Sequence, residues 1–304
     1  MSLFLAEIGK GLAARWLTLL IPSGMLFLGL TAAAMLLGHG HALDAAMLVR
    51  ELDAAAARPA TRSPGAVLLL AASVVLAAAG VALLVSGVAG AVETLWYGQW
   101  PRPLQPLGRR LTARRLARWQ RADEAHAEAL RAKIRRLDTD GAVAADIPDT
   151  ARLNAVRNRI CLVRPDRPVW TADRIRAADL RVHAAYGLDL DSAWPRLWLI
   201  VPEETRAELR AARAAYAGAA GLAAWTVPYA VLALWWWPAA PVAAGIALVA
   251  LRRGRAGMDA LAELVEAVVD LHCGELAARL TADTPDEFFP ESGDRITRRL
   301  RKGA

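Results

Sequence analysis

Residues 214–251 contain no charged side chain, a run of about 38 positions. A bilayer core of ~30 Å is crossed by about 20 apolar residues in a helix, so this block is too long for one crossing and suits two tightly joined ones. Trp235, Trp236 and Trp237, followed by Pro238 and Pro241, place the turn between them. Proline breaks a helix, and tryptophan favours the membrane interface. Two further uncharged blocks, residues 16–37 and 65–92, are each of one-span length. The first has Ala32, Ala33 and Ala34, which suit a signal cleavage site. Its apolar length, however, exceeds the 7 to 15 residues of a signal core, so it reads as a span.

Positive charge tests this count, because cytoplasmic flanks carry the Lys and Arg excess. Lys10 and Arg15 precede the first block. The loop 38–64 balances Arg50, Arg58 and Arg62 against Asp44, Glu51 and Asp53. Arg102, Arg109, Arg110, Arg114, Arg115 and Arg118 follow the second block, and Arg252, Arg253 and Arg255 follow the last. Both clusters fall on one side only if the third block spans twice. The expectation is an all-α, polytopic protein of the cytoplasmic (inner) membrane with four transmembrane helices, both termini inside and a helical cytoplasmic domain. The predicted division is an interfacial helix over 1–15, a transmembrane hairpin over 16–92 and a cytoplasmic helical domain over 93–213. A second hairpin over 214–251 and an amphipathic helix with a mobile tail over 252–304 complete it.

The spans contain no ionisable residue of the kind that transporters and pumps keep in theirs. The second block instead has small residues four apart, Ala78, Ala82, Ser86 and Gly90, a face on which two helices can approach closely, within the chain or between copies of it. Pro228 should kink the third block by freeing the carbonyl of Ala224.

In the polar domain a basic helix is expected over 109–137, with Leu116, Trp119, Leu130, Ile134 and Leu137 as its apolar stripe. Arg109, Arg110, Arg114 and Arg115 at its start are candidates for contact with anionic lipid. The stripe also suits pairing with an acidic amphipathic helix made by Met258, Leu261, Leu264, Val265, Val268, Leu271, Leu276 and Leu280, which carries Asp259, Glu263, Glu266, Asp270 and Glu275. Nucleic acid is not an expected partner, since no nucleic-acid module accompanies the arginines. Arginine so outnumbers lysine, present only at Lys10, Lys133 and Lys302, that coding bias explains much of the count.

Further along, a helix capped by Thr171 or Asp173 should end at Gly187. The stretch 187–198 holds Trp194, Pro195, Leu197 and Trp198, which suit either a core or a docking surface. Pro202, Glu203 and Glu204 start a helix that nothing breaks before the third apolar block. The tail after Thr281 reads as polar and solvated, with Phe288 and Phe289 among acids resembling a docking peptide.

No P-loop, HExxH, GxSxG or dinucleotide fingerprint is present, so no cofactor is expected and an enzyme is not favoured. Asp189, Asp191, Glu203 and Glu204 suit turn and cap duties better than a metal, and His39 and His41 lack a third ligand. Cys161 and Cys273 stand apart, outside any CxxC pair, and read as buried thiols. The leading functional reading is a membrane-anchored scaffold or adaptor that presents the domain to a protein partner. The alternative is an oligomeric channel or membrane-permeabilising effector, which requires the chain to associate with itself.

Overall fold

The computed structural model describes residues 22–57, 63–139, 149–281 and 290–301, all of whose regular structure is helical. The interfacial helix expected over 1–15 lies outside them, as do Phe288 and Phe289. The helices are α1 (Pro22–Leu37), α2 (Ala45–Ala56), α3 (Pro64–Trp96), α4 (Gln105–Thr139), α5 (Thr150–Ile160), α6 (Trp170–Tyr186), α7 (Leu190–Ile200), α8 (Glu203–Leu232), α9 (Ala239–Thr281) and α10 (Pro290–Leu300). The chain divides into two units, Met1–Val92 with Gly218–Arg252 and Glu93–Ala217 with Arg253–Ala304.

Among the described residues two helices, α3 and α8, are long and apolar enough to cross a membrane, by length and composition alone. The other two expected spans fall short for identifiable reasons. The start of the first block, residues 16–21, is not described, which leaves α1 as a shorter apolar helix. The apolar part of α9 ends at Leu251, about 20 Å of helix from Ala239. The helix then continues without a break through Arg252, Arg253 and Arg255 into the acidic segment. The break between α8 and α9 falls at Ala233 to Pro238, over the three tryptophans. Helix α8 runs on through Pro228.

In the first unit α3 is apolar all round, yet Leu68, Leu69, Leu76, Leu83 and Leu84 are exposed. Its buried side chains are Ala78, Ala82 and Val85. Gly24 of α1 lies against the backbone of Ala78, where any Cβ would strike the Ala78 carbonyl oxygen. Phe27 of α1 packs edge-on to Tyr229 of α8, with ring centroids 5.3 Å apart. The Trp236 indole donates to Ala42 O (3.0 Å) and His39 Nδ1 to Trp235 O (2.7 Å), so the 38–44 turn and the α8–α9 turn share hydrogen bonds. The loop after α1 also contains α2, which begins where the Asp44 carboxylate accepts from Met47 N.

The second unit has two apolar clusters. Val182 of α6, Leu197 of α7, Val269 and Leu276 of α9 and Ile296 of α10 meet in one, and Val201, Leu209, Val265 and Val268 in the other. The acidic part of α9 therefore does not pair with the basic helix as its charge pattern suggested. Three of its carboxylates face α6: Arg174 bonds Asp259 and Glu266 (2.9 Å to the latter), Arg181 reaches Glu266 at 3.2 Å, and Tyr186 donates to Asp270. Arginines occur on both helices, so charge alone did not choose the partner. The basic helix α4 packs on α5, with the Trp119 indole donating to Cys161 O and Arg157 paired with Asp123.

The C-terminal segment departs from the expected solvated tail. Its helix α10 is folded onto α6 and α7, with Ile296 and Thr297 buried. Gly187 ends α6 with a left-handed φ of +65°, and a Cβ on Gly293 would run into Tyr186 O, so two glycines permit the approach. Thr297 Oγ1 accepts from Asp189 N (3.0 Å) and donates to Gly187 O (3.2 Å). The Asp189 carboxyl is held below its usual range by the Ser192 hydroxyl and, against partial burial, by Arg301 of α10. A carboxyl lowered in the folded state stabilises above its unfolded pKa of about 3.9 and ceases to do so as pH falls through the folded value. The loss of thermal stability caused by Arg301→Gln should therefore shrink between about pH 5 and about pH 3. A pH-independent difference between the two melting curves would contradict this role for Asp189.

Candidate functional site

Helix α7 opens after Asp189 and carries Trp194 and Trp198 one turn apart, so both rings lie on one face. Their centroids are 6.3 Å apart, and both are half-buried. Ala193 and Leu197, on the adjoining face, are fully buried and fix the helix to α6, α9 and α10. The tryptophans thus belong only in part to the core. Parts of their rings pack on the core clusters, and the rest lines a cavity of about 640 Å³.

The other walls of that cavity are Ile175 of α6, Leu209, Ala214 and Ala217 of α8, and Leu261 and Val265 of α9. Three charged residues stand at its edge. Arg210 pairs with Glu203, and the carboxyl of Glu203 is lowered chiefly by that bond. Arg213 pairs with Glu93 and lies over the rings of Tyr97 and Tyr216, 5.3 and 5.9 Å from their centroids. Asp191 also lines it, and its charge, with that of Asp189, adds to burial in raising Asp179. The volume lies in the range of small-molecule and peptide-anchor pockets. Its apolar lining suits the binding of an apolar group.

Of the four carboxylates weighed as metal ligands, Asp189 and Glu203 are engaged by other side chains. Asp189 holds Ser192 and Arg301, and Glu203 holds Arg206 and Arg210. Among the described residues no group of three or more His, Cys, Asp or Glu side chains is placed to hold a metal ion.

The small-residue ladder divides along its length. Ala78 and Ala82 are covered within the chain, Ser86 is partly buried and donates to Ala82 O, and Gly90 is exposed with open space where a Cβ would stand. The arginines singled out for lipid divide too. Arg110 and Arg114 are exposed, and Arg109 lines a shallow cleft with Trp100 and Pro168. Arg115 turns inward to the Asp173 carboxylate (2.6 Å) and to the carbonyls of Arg167 and Ile160, so its charge is spent inside the fold.

Asp173 is the residue that sequence reasoning undervalued. It is not the cap of α6, which begins after Val169, but a first-turn side chain with no exposure. It accepts from Asp166 N, Arg167 N and Arg115, and Arg176 lies 3.7 Å away. The turn 161–169 is thereby clamped to α4 and α6. An acid in the first turn of a helix preceded by the turn-forming run Arg164 to Pro168 was the available signal, and it suited capping equally well.

No family model, no curated protein and no solved structure matches the chain.

Proposed function

We propose that the protein is a membrane-anchored adaptor. Four transmembrane helices (α1, α3, the apolar part of α8 and the apolar start of α9) hold it in the cytoplasmic membrane, and the helical domain in the cytoplasm takes an amphipathic helix of a partner protein into the tryptophan-lined cavity. The anchor is supported by α3, a helix apolar on every side whose leucines remain exposed in the folded chain. Such a helix belongs either in a core or in lipid, and the described residues leave most of it uncovered.

The cavity itself carries the adaptor reading. Two half-buried tryptophans over an unfilled apolar floor form the kind of anchor pocket in which binding energy concentrates. Arg210 and Arg213 along the α8 edge match a partner helix with acids beside its apolar stripe. The channel reading has less support, since the part of the ladder best suited to self-association, Ala78 and Ala82, is already buried within the chain, Ala78 against Gly24 of α1.

The test is a photocrosslinking amino acid at Leu199, which is exposed next to Trp198, in full-length protein in native membranes. A protein adduct is expected, and Trp194→Ala with Trp198→Ala should reduce its yield about 30-fold or more, the loss of at least ~2 kcal/mol of hot-spot contact. Adducts with lipid or with a second copy only, or a yield unchanged by the two substitutions, would overturn the reading.

A further inference from the structure

Helices α5, α6 and α9 border a second, open cleft of about 550 Å³, lined by Asn158, Arg159, Trp170, Arg255 and Asp259, with both arginines exposed. Its charges do not balance. Asp259, the carboxylate there, is engaged by Arg174. Among the described residues neither Arg159 nor Arg255 pairs with a carboxylate; Arg255 lies instead over the Trp170 ring, 5.0 Å from its centroid. Desolvation and the nearby Arg115 both lower the pKa of Arg255. Arg115 offers no relief, since it is committed to Asp173. Asn158 Oδ1 already accepts from Arg157, which leaves the amide hydrogens of Asn158 to donate.

The cleft thus presents two guanidinium forks and an amide as donors, beside one carboxylate, Asp259, whose Oδ1 is bonded by Arg174. Guanidinium groups match phosphate oxygens in geometry as well as charge. We propose that this cleft between α5, α6 and α9 is a phosphate-binding site, with Arg159 and Arg255 as the ligating cations and Asn158 as a further donor. Two sources of phosphate fit. Arg255 stands about one helical turn beyond Leu251, where the apolar start of α9 ends, a depth suited to the phosphodiester of a lipid headgroup. The cleft is equally open to a phosphate in solution. This inference does not depend on the tryptophan-lined cavity or on a protein partner.

Full-length protein, delipidated in a neutral detergent, should be titrated with inorganic phosphate and with dihexanoyl phosphatidylglycerol, using dihexanoyl phosphatidylcholine as a zwitterionic control and thermal stability as the readout. Stabilisation by phosphate, by the anionic lipid or by both is expected, and which probe acts identifies the source. Arg159→Gln and Arg255→Gln should each weaken the apparent affinity about ten-fold or more, the worth of one charge-assisted hydrogen bond. Ala155→Glu, at an exposed position lining the same cleft, keeps both arginines but supplies a fixed counter-ion. It should abolish the stabilisation by the probe while leaving the unliganded protein at least as stable as before. The proposal is overturned if neither probe stabilises the unmodified chain, if phosphatidylcholine does so equally, or if the response survives in Ala155→Glu.

Discussion

Replacing Asp173 by Asn should lower the stability of the helical unit by about 3 to 5 kcal/mol, a large share of the 5 to 15 kcal/mol that holds a typical domain together. Asn keeps the volume of Asp and one acceptor oxygen. It removes the charge that faces Arg115 and leaves one acceptor where two stood, so an amide N–H₂ faces either Arg115 or the N–H groups of Asp166 and Arg167. Arg115, with 17% of its side chain exposed, would remain as a poorly compensated cation. Breaking a buried pair from one side costs more than the pair contributes, because the surviving charge stays desolvated. In a thermal melt of the full chain this should appear as a fall of about 6 °C or more. Asp123→Asn is the control: its pair with Arg157 has side chains 40% and 24% exposed, and its loss should cost less than about 1 kcal/mol. Equal melts for Asp173→Asn and the unmodified protein would show that the clamp on the turn 161–169 does not hold the domain.

Much of the helix map was legible because it rests on local rules. Gly187 ends α6 in a left-handed conformation, and the acids after Pro202 open α8. The tryptophan-proline run falls in the break between α8 and α9. Each is set by a few neighbouring residues. What escaped depended on partners far away in the chain. The acidic face of α9 could have met any helix with arginines, and it met α6, because Val182 and Leu197 supply the apolar surface that covers Val269 and Leu276. Helix α10 has few large apolar residues, so counting them suggests a solvated tail. One buried isoleucine, one bonded threonine and two glycines suffice to seat it. The tryptophan-lined cavity was half legible. Trp194 and Trp198 stood out, but its remaining walls come from three other helices, and no spacing within 187–198 announces them.

The claim on which the rest depends is that the chain crosses the membrane four times with its helical domain inside, and sidedness tests it directly. Single cysteines at Asp53 of α2, Leu199 of α7 and Arg298 of α10, all exposed positions, can be probed with a membrane-impermeant maleimide. The native Cys161 and Cys273 are buried, and desolvation raises both thiols, so they react slowly and can be replaced by alanine to clear the background. The effect is all-or-none, because the bilayer either separates reagent from thiol or does not. The account predicts that Asp53→Cys is labelled in intact cells, and that Leu199→Cys and Arg298→Cys are labelled only after permeabilisation. Labelling of Asp53→Cys and Leu199→Cys from the same side, or of all three in a fraction free of membranes, would contradict it.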